Sequence, residues 1–279
     1  MSVRTANFFL TFVDGLGRRL LNIIEYTANI FLMIYLSFRA AFFDQAQGLR
    51  SVFSVVSAQI YFTGFQALPL ITVMALASGS VVIMQSSAQL SLLGGADMIG
   101  NLMVLIVVRE VGPLLTALIV IARSGTAVAS EIGNMKVNRE IEALESMGIN
   151  PLSYIVFPRL LGGVVSVLCL AFYFTAIALL GGFFLTKFIS GMSVQFYFDS
   201  LATAFAGEDV YLFVLKNTFS GLIIFIICSY QGLLVVQGPH EVPQVTTKAV
   251  VNCVIYVISF NLSVTTLFYL NQLLKLGVL

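Results

Sequence analysis

Two adjacent charged residues, Arg109 and Glu110, stand inside a long apolar stretch of the chain. A charged side chain in the middle of a membrane helix costs about 2.5–3.5 kcal/mol on insertion scales, so we expect neither residue to face lipid. A guanidinium binds phosphate through two parallel hydrogen bonds, which makes Arg109, together with Glu110, a candidate substrate-binding site for a phosphate-bearing amphiphile. Adjacent helical residues point about 100° apart, so the two charges do not neutralise each other along one face. The alternative is a structural ion pair with another helix, for example with Glu110 of the partner subunit.

Gly112 and Pro113 follow these charges directly and predict a kink in the helix that carries them. Pro113 lacks the amide that would bond the Arg109 carbonyl, and Gly112 adds backbone freedom. Two charges beside a kink predict a polar cavity, which we expect to lie between two subunits.

A second candidate site is the polar stretch over residues 123–151. Ile141, Leu144 and Met147 recur at helical spacing and predict a short helix with one narrow apolar stripe. Gly148 can supply a left-handed cap, and the proline at the end of the stretch prevents continuation. The remaining faces carry glutamates: Glu140, Glu142 and Glu145. Such a helix could dock into a groove of a partner or pack back on its own protein, and the pattern alone favours neither.

The sequence contains no other recognisable site for catalysis, nucleotides or metals. The loop Gly-x-x-x-x-Gly-Lys-Ser/Thr, whose amides cradle nucleotide phosphates, does not occur. His240, the one histidine, lies between two prolines, and we interpret it as a surface loop residue. Cys169, Cys228 and Cys253 lie far apart in apolar runs and are interpreted as small buried hydrophobic residues. We therefore expect no catalytic residue, no metal and no cofactor in this chain, and the net charge of +1 does not indicate nucleic acid.

The elements that must position these residues are membrane helices. Hydrophobic residues make up 59% of the chain and charged residues 10%, whereas soluble domains carry about 25% charged residues. Four apolar runs are long enough to cross a hydrocarbon core of about 30 Å, and the region around Arg109 predicts a fifth span. The five ranges are residues 67–84, 98–122, 154–189, 211–236 and 250–276. The fold class is thus an all-α integral membrane protein with about five transmembrane helices and a short cytoplasmic helix.

Residues 22–43 are also apolar, but arginines flank them on both sides. Arg4, Arg18 and Arg19 precede the segment. Arg39 lies near its end, and Arg50 follows it. Positive charge at both ends favours two cytoplasmic ends, so we predict an N-terminal interfacial helix rather than a sixth span.

Five spans after a cytoplasmic N-terminus place the C-terminus on the outer side. Most basic residues then lie in the cytoplasm, as the positive-inside rule requires. Only Lys187, Lys216 and Lys275 are expected on the outer side, together with an acidic connection over residues 190–209.

Several short motifs occur in one order along the chain. They are Arg109-Glu110-Val111-Gly112-Pro113, Ala122-Arg123-Ser124-Gly125, Glu131-Ile132-Gly133-x-Met135-Lys136, Glu142-x-Leu144-x-x-Met147-Gly148-Ile149-x-Pro151 and Pro158-Arg159. Together they resemble the MlaE/YrbE family, the permeases of ABC transporters that work with MCE-domain lipid-binding proteins. The resemblance is dense from about residue 67 to residue 163, continues more weakly to the C-terminus, and is weak before residue 50.

The resemblance implies a homodimer of five-span subunits, a cytoplasmic ABC ATPase that binds ATP and Mg, and a periplasmic MCE-domain lipid-binding protein. It implies an N-terminal cytoplasmic and interfacial region over residues 1–50 and a permease domain over residues 51–279. Within that domain, a coupling region at about 123–158 would contact the ATPase. Its expected contact residues are Glu131, Lys136, Ile141, Glu142, Leu144, Met147 and Gly148. The region is similar to the Glu-Ala-Ala loop of other ABC importers, although position 144 is Leu and the spacing to Pro158 is shorter.

The sequence therefore predicts an inner-membrane permease for phospholipid rather than an enzyme. Two other functions stay open. A secondary transporter of a hydrophobic or amphiphilic solute would work without an ATPase, and intramembrane charges beside a kink fit it too. A non-transporting membrane scaffold would tolerate the loss of Arg109.

Overall fold

The computed structural model describes residues 2–43, 49–93, 98–190, 194–236 and 238–275, and helices account for nearly all of them. In chain order these helices are α1 (Ser2–Phe43), α2 (Leu49–Thr63), α3 (Leu68–Leu93), α4 (Ile99–Met103), α5 (Gly112–Val120), α6 (Thr126–Val137), α7 (Glu140–Ser146), α8 (Phe157–Ser190), α9 (Val194–Ala204), α10 (Gly207–Leu233) and α11 (Val242–Lys275). Segments of π-helix at Val104–Val111, Ile121–Gly125 and Leu152–Val156 join some of them end to end. Within these described ranges the chain forms no strand, and the predicted all-α class is confirmed.

The centre of the bundle is formed by α8 and α10. Helix α8 packs against α2, α3 and α10, and α10 also packs against α6 and α11. In the most apolar 18 residues of α10, 56% are buried, against 17% of the corresponding residues within Leu21–Ala41 and within Pro239–Lys275. Helices α1 and α11 therefore present most of their surface outward, where apolar residues are solvated by lipid.

Each of the five predicted spans corresponds to a helix or a run of helices in the structure. Among the residues that the structure describes, six helical stretches are long and apolar enough to cross a membrane, and the additional one is Leu21–Ala41 within α1. Length and composition alone do not distinguish a spanning helix from an interfacial one, so the interfacial position of α1 stays a prediction. Helix α2 was not predicted, and it joins α3 through a short turn at Phe65–Ala67.

Close crossings in the bundle depend on glycine. A Cβ atom at Gly163 would overlap the ring of Phe225, and a Cβ atom at Gly79 would overlap the backbone of Ala178. The crossings of α8 with α10 and with α3 are therefore tight because glycine leaves room for the neighbouring helix.

The cysteines differ from the sequence prediction in two ways. Cys228 and Cys253 are buried as expected, but their sulfur atoms lie 3.6 Å apart across α10 and α11. Cys169 is exposed on α8, where a buried residue was predicted. An apolar residue on a membrane helix need not be buried in protein, because lipid solvates it as well as another helix does.

Candidate functional site

Arg109 and Glu110 lie in the π-helical segment Val104–Val111, which continues directly into α5 at Gly112. This segment packs against α8 and α10. The predicted kink at Gly112 and Pro113 thus coincides with a local change of helical register, which is common at functional sites. The bend itself stays a prediction.

Arg109 is paired with Asp209 from the first turn of α10. The Arg109 Nε lies 2.5 Å from the Asp209 carboxylate, and Asp209 is completely buried. The same carboxylate accepts a hydrogen bond from the Ala206 amide at 3.0 Å, which ties the start of α10 to it. The guanidinium also lies 5.5 Å from the ring centre of Phe268 on α11. Arg109 therefore joins three parts of the bundle through an ion pair and a cation–π contact.

Glu110 is paired with Lys216, two turns further along α10. The Lys216 Nζ donates to Glu110 Oε1 at 3.0 Å, to Thr265 Oγ1 at 2.8 Å and to the Arg109 carbonyl at 2.7 Å. The Thr265 hydroxyl in turn donates to the Glu110 carboxylate at 3.0 Å. The Lys216 contact also explains how the Arg109 carbonyl is satisfied, because Pro113 has no amide proton to give it in an α-helical register.

These residues form what we call the four-charge network: Arg109, Glu110, Asp209 and Lys216. Its charges sum to zero, which is the condition under which ions are tolerated inside an apolar bundle. The exposures differ within it, since Lys216 is 2% exposed and Glu110 is 40% exposed. The network can therefore hold the segment Val104–Val111, α10 and α11 together while the Glu110 carboxylate stays partly exposed.

The partners of Arg109 and Glu110 correct one sequence expectation. Asp209 was assigned to the outer connection, but it lies buried in the first turn of α10. Lys216 is buried in the same helix, and its position towards the outer side stays a prediction. The physical reason is that each finds an opposite charge on the neighbouring helix. Lys216 carries the single charge in the apolar run of residues 211–236, and an isolated intramembrane charge of this kind signals a partner on another helix.

The predicted coupling region begins in α6 and continues through α7. Glu131 pairs with Arg159 at 2.7 Å, and Lys136 pairs with Glu142 at 3.3 Å. The Arg159 pair joins α6 to α8, whereas the Lys136 pair is exposed and joins α6 to α7.

The apolar stripe of α7 is divided between two environments. Ile141 is buried, Leu144 is half-buried, and Met147 is 66% exposed. Gly148 has φ of +75°, so the predicted left-handed cap is confirmed. The helix is therefore attached to its own protein at one end and free at the other.

The four-charge network and the coupling region are two separate sites. Arg109 and Glu131 belong to the same continuous helical stretch, Ile99–Val137, and are about 30 Å apart at 1.5 Å per residue. Within the described ranges, no group of His, Cys, Asp and Glu side chains could hold a metal.

Residues 56–267 match the protein family described as Permease MlaE. The chain belongs to the MlaE permease family. The resemblance predicted from the motifs is confirmed, and the match covers both the four-charge network and the coupling region. The family also agrees with the multi-pass membrane architecture of the bundle.

Several relatives are similar over most of their length. A probable ABC transporter permease protein of Rickettsia prowazekii is 32% identical over 216 residues, or 77% of this chain and 83% of the relative. The intermembrane phospholipid transport system permease protein MlaE of Haemophilus influenzae is 25% identical over 261 residues, or 93% of this chain and 98% of the relative. A probable ABC transporter permease protein of Synechocystis is 29% identical over 187 residues, or 66% of this chain and 71% of the relative.

Proposed function

We propose that this chain is the permease subunit of an ABC transporter that moves phospholipid between the inner membrane and a periplasmic MCE-domain carrier. A separate cytoplasmic ATPase binds ATP and Mg and drives the movement. The observation that carries this proposal is the family match over residues 56–267. The phospholipid class comes from the name of the Haemophilus influenzae relative.

In this proposal Arg109 and Glu110 face the substrate. Glu110 is the accessible member of the four-charge network, at 40% exposed in the single chain. Asp209 occupies the Nε side of the Arg109 guanidinium, so a lipid phosphate would bind through the two Nη groups. A lipid that reaches this network would compete with Asp209 for the guanidinium and would loosen the contact between the segment Val104–Val111 and α10.

The coupling region contacts the ATPase in the proposal. Ile141 fastens α7 to the bundle, and Met147 extends from it as an exposed, flexible apolar side chain. Such a side chain suits insertion into a groove of a partner. Because α6 and the π-helical segment around Arg109 belong to one helical stretch, a push on α7 has a direct mechanical route to the four-charge network.

The assembly and orientation belong to the same proposal. Two copies form a homodimer, the N-terminus lies in the cytoplasm, and the C-terminus lies in the periplasm. Residues 1–50 form the cytoplasmic and interfacial region, and residues 51–279 form the permease domain. The basic residues of the cytoplasmic connections support this orientation.

The test is to purify the chain with its native partners, reconstitute the complex in proteoliposomes, and measure ATP-dependent transfer of a fluorescent phospholipid to the carrier. Glu110→Gln keeps the size of the side chain and removes its charge, and we expect transfer to fall about tenfold. Met147→Glu places a charge at the proposed ATPase contact and should uncouple ATP hydrolysis from transfer. Glu145→Gln changes an exposed residue of the same helix and should leave transfer unchanged.

The outcomes distinguish the three functions. Transfer driven by an ion gradient in a preparation without an ATPase would support a secondary transporter and overturn the proposal. A complex that shows no transfer, with no response to nucleotide or to Glu110→Gln, would support a scaffold.

A further inference from the structure

An elongated groove lies between α1 and α11, away from the four-charge network. One end, with a volume of about 530 Å³, is lined by polar side chains that include Tyr26, Asn252 and Tyr256. The other end, with a volume of about 400 Å³, is lined by aliphatic and aromatic side chains of α1, α10 and α11. Thr27, Tyr256 and Ser259 line both ends, so the two form one groove. Each volume is within the range of roughly 300–1,000 Å³ that is typical of ligand sites.

The polar end is held in place by hydrogen bonds between helices. The Tyr26 hydroxyl accepts hydrogen bonds from Gln231 Nε2 and from Asn252 Nδ2, each at 3.0 Å. The Thr27 and Tyr256 hydroxyls lie 2.9 Å apart. Tyr26 also packs edge-on against Tyr230 at 5.5 Å between ring centres. A cluster of hydroxyl and amide groups in an apolar bundle is therefore preformed at this end, with the Tyr26 O–H still available as a donor.

The two helices show the same order of side chains at intervals of four residues, and the last three of each series line the groove. At intervals of four residues α1 reads Arg18, Asn22, Tyr26 and Ile30, and α11 reads Lys248, Asn252, Tyr256 and Phe260. Residues four apart lie on one face of a helix, about 6 Å apart along its axis. Tyr26 contacts both Asn252 and Tyr256 and therefore lies between their levels. The two helices run in the same direction, because Asn22 and Asn252 line one end of the groove and Ile34 and Ser263 line the other. The groove thus changes from amide to hydroxyl and then to apolar side chains, with one basic residue of each helix a turn beyond its amide end.

This order matches the chemistry of a phospholipid. Arg18 and Lys248 are exposed, and each lies one turn beyond the amide residues of the groove. Basic residues at the cytoplasmic ends of membrane helices bind anionic headgroups. The exposed Glu25 lies seven residues from Arg18 on the same side of α1, and the residues that line the two ends of the groove do not include it. The apolar end, which includes Phe31 and Ile34, has the apolar lining that part of an acyl chain requires.

We propose that the groove between α1 and α11 binds a phospholipid of the cytoplasmic leaflet. Arg18 and Lys248 hold its phosphate, the Tyr26 and Tyr256 level holds its glycerol region, and the apolar end holds one acyl chain. The cytoplasmic placement rests on the orientation in the proposed function, with α1 entering the bilayer from the interface along α11. The site is separate from the substrate-facing charges, because Thr265 lies about 14 Å further along α11 than Tyr256.

The experiment uses the purified transporter complex in nanodiscs of phosphatidylethanolamine and phosphatidylglycerol. The probe is a phosphatidylglycerol with a photoreactive diazirine in one acyl chain, and mass spectrometry locates the labelled residues. We expect labelling in the stretch of α1 that contains Phe31 and Ile34, and around Phe219 and Ile223 of α10. A diacylglycerol with the same photoreactive chain lacks the phosphate and should label these residues about tenfold less.

Two pairs of variants separate a built site from ordinary surrounding lipid. Ser259 is exposed and lies where the two ends of the groove meet, so Ser259→Trp should block the groove and reduce the labelling about tenfold. Val251→Trp, at an exposed residue of the same helix outside the groove, should leave it unchanged. The double variant Arg18→Gln with Lys248→Gln should remove the preference for phosphatidylglycerol, whereas Arg18→Lys with Lys248→Arg should retain it.

Labelling that is equal for both lipids, or unchanged by Ser259→Trp, would overturn the proposal and indicate surrounding lipid only. Absence of labelling on both α1 and α10 would overturn the proposal as well. The result is independent of substrate transfer, because Glu110→Gln should reduce transfer and leave the labelling of this groove intact.

Discussion

Replacing Lys216 by Met tests whether the four-charge network holds the bundle together. The unbranched Met side chain fills much of the same space and removes the charge and all three donors. Lys216 is 2% exposed, so no solvent replaces the lost contacts at that position. The variant leaves Glu110 without its cation and leaves the Arg109 carbonyl without its donor.

The expected loss follows from these contacts. Removing one partner of a buried ion pair costs about 3–5 kcal/mol, because the other charge stays buried and uncompensated. Glu110 is 40% exposed and can regain contact with water or headgroups, which places the loss at the lower end, about 3 kcal/mol. At roughly 2–4 °C per kcal/mol for a chain of this size, the unfolding temperature should fall by about 6–12 °C.

Thermal unfolding of the purified complex can be followed with a thiol-reactive dye, because Cys228 and Cys253 are buried and the chain has no tryptophan. Cys169 is exposed and is first replaced by Ala in every sample. Lys275→Met is the matched control, since Lys275 is 63% exposed and pairs with Glu208 at 3.4 Å. An exposed pair of this kind contributes about 0–1 kcal/mol.

A double-mutant cycle tests whether Lys216 and Glu110 are energetically coupled. Adding Glu110→Gln to Lys216→Met removes the uncompensated charge, so the double variant should be about 1–2 kcal/mol more stable than the sum of the two single effects predicts. Strictly additive effects, or a Lys216→Met variant as stable as Lys275→Met, would refute the claim that this pair is energetically coupled.

Three further predictions concern other parts of the bundle. Gly163→Ala forces a Cβ into the Phe225 ring and should cost about 1–3 kcal/mol by overpacking, seen as a lower unfolding temperature. At Gly148 a Cβ meets open space but φ is +75°, so Gly148→Ala should lower the free energy of unfolding by about 1–2 kcal/mol through backbone strain. Gly207 also faces open space and lacks a positive φ, so Gly207→Ala should leave the free energy of unfolding unchanged. Burial raises the pKa of Tyr197 to about 12 from 10.0. The stability that the neutral, buried phenol gives the fold is therefore complete below pH 10 and is lost as the pH rises towards 12. In an ultraviolet titration, the Tyr197→Phe variant should lack one phenol that ionises late.

Each of these has a clear contrary result. An unchanged unfolding temperature for Gly163→Ala would mean that α8 and α10 can separate at no cost. Equal effects of alanine at Gly148 and Gly207 would remove the role of the left-handed cap. The Tyr197 hydroxyl is buried and donates to the Leu179 carbonyl at 3.0 Å. If Tyr197→Phe left the number of phenols that ionise between pH 10 and 12 unchanged, this burial would be contradicted.

Much of the fold was readable from the sequence, because membrane helices are selected by local properties. A run of apolar residues long enough to span the bilayer predicts a helix wherever it occurs, and all five predicted runs are helical. The stop of α7 at Gly148 was also local, since only glycine adopts its φ of +75° without strain. Helix α2 was missed because residues 49–63 mix serine, arginine and glutamine with apolar residues and give no continuous run.

The sequence by itself determined the class, the positions of the helices, the family motifs and the presence of two intramembrane charges that needed partners. Only the tertiary structure decided that Arg109 pairs with Asp209 and Glu110 with Lys216. Hydropathy and periodicity report on neighbours along the chain, whereas these pairs join residues about a hundred positions apart. Their choice depends on how α10 is rotated and how far it is shifted against the segment Val104–Val111. That geometry is set by the packing of every side chain between the helices, including the close approach of Phe225 to Gly163.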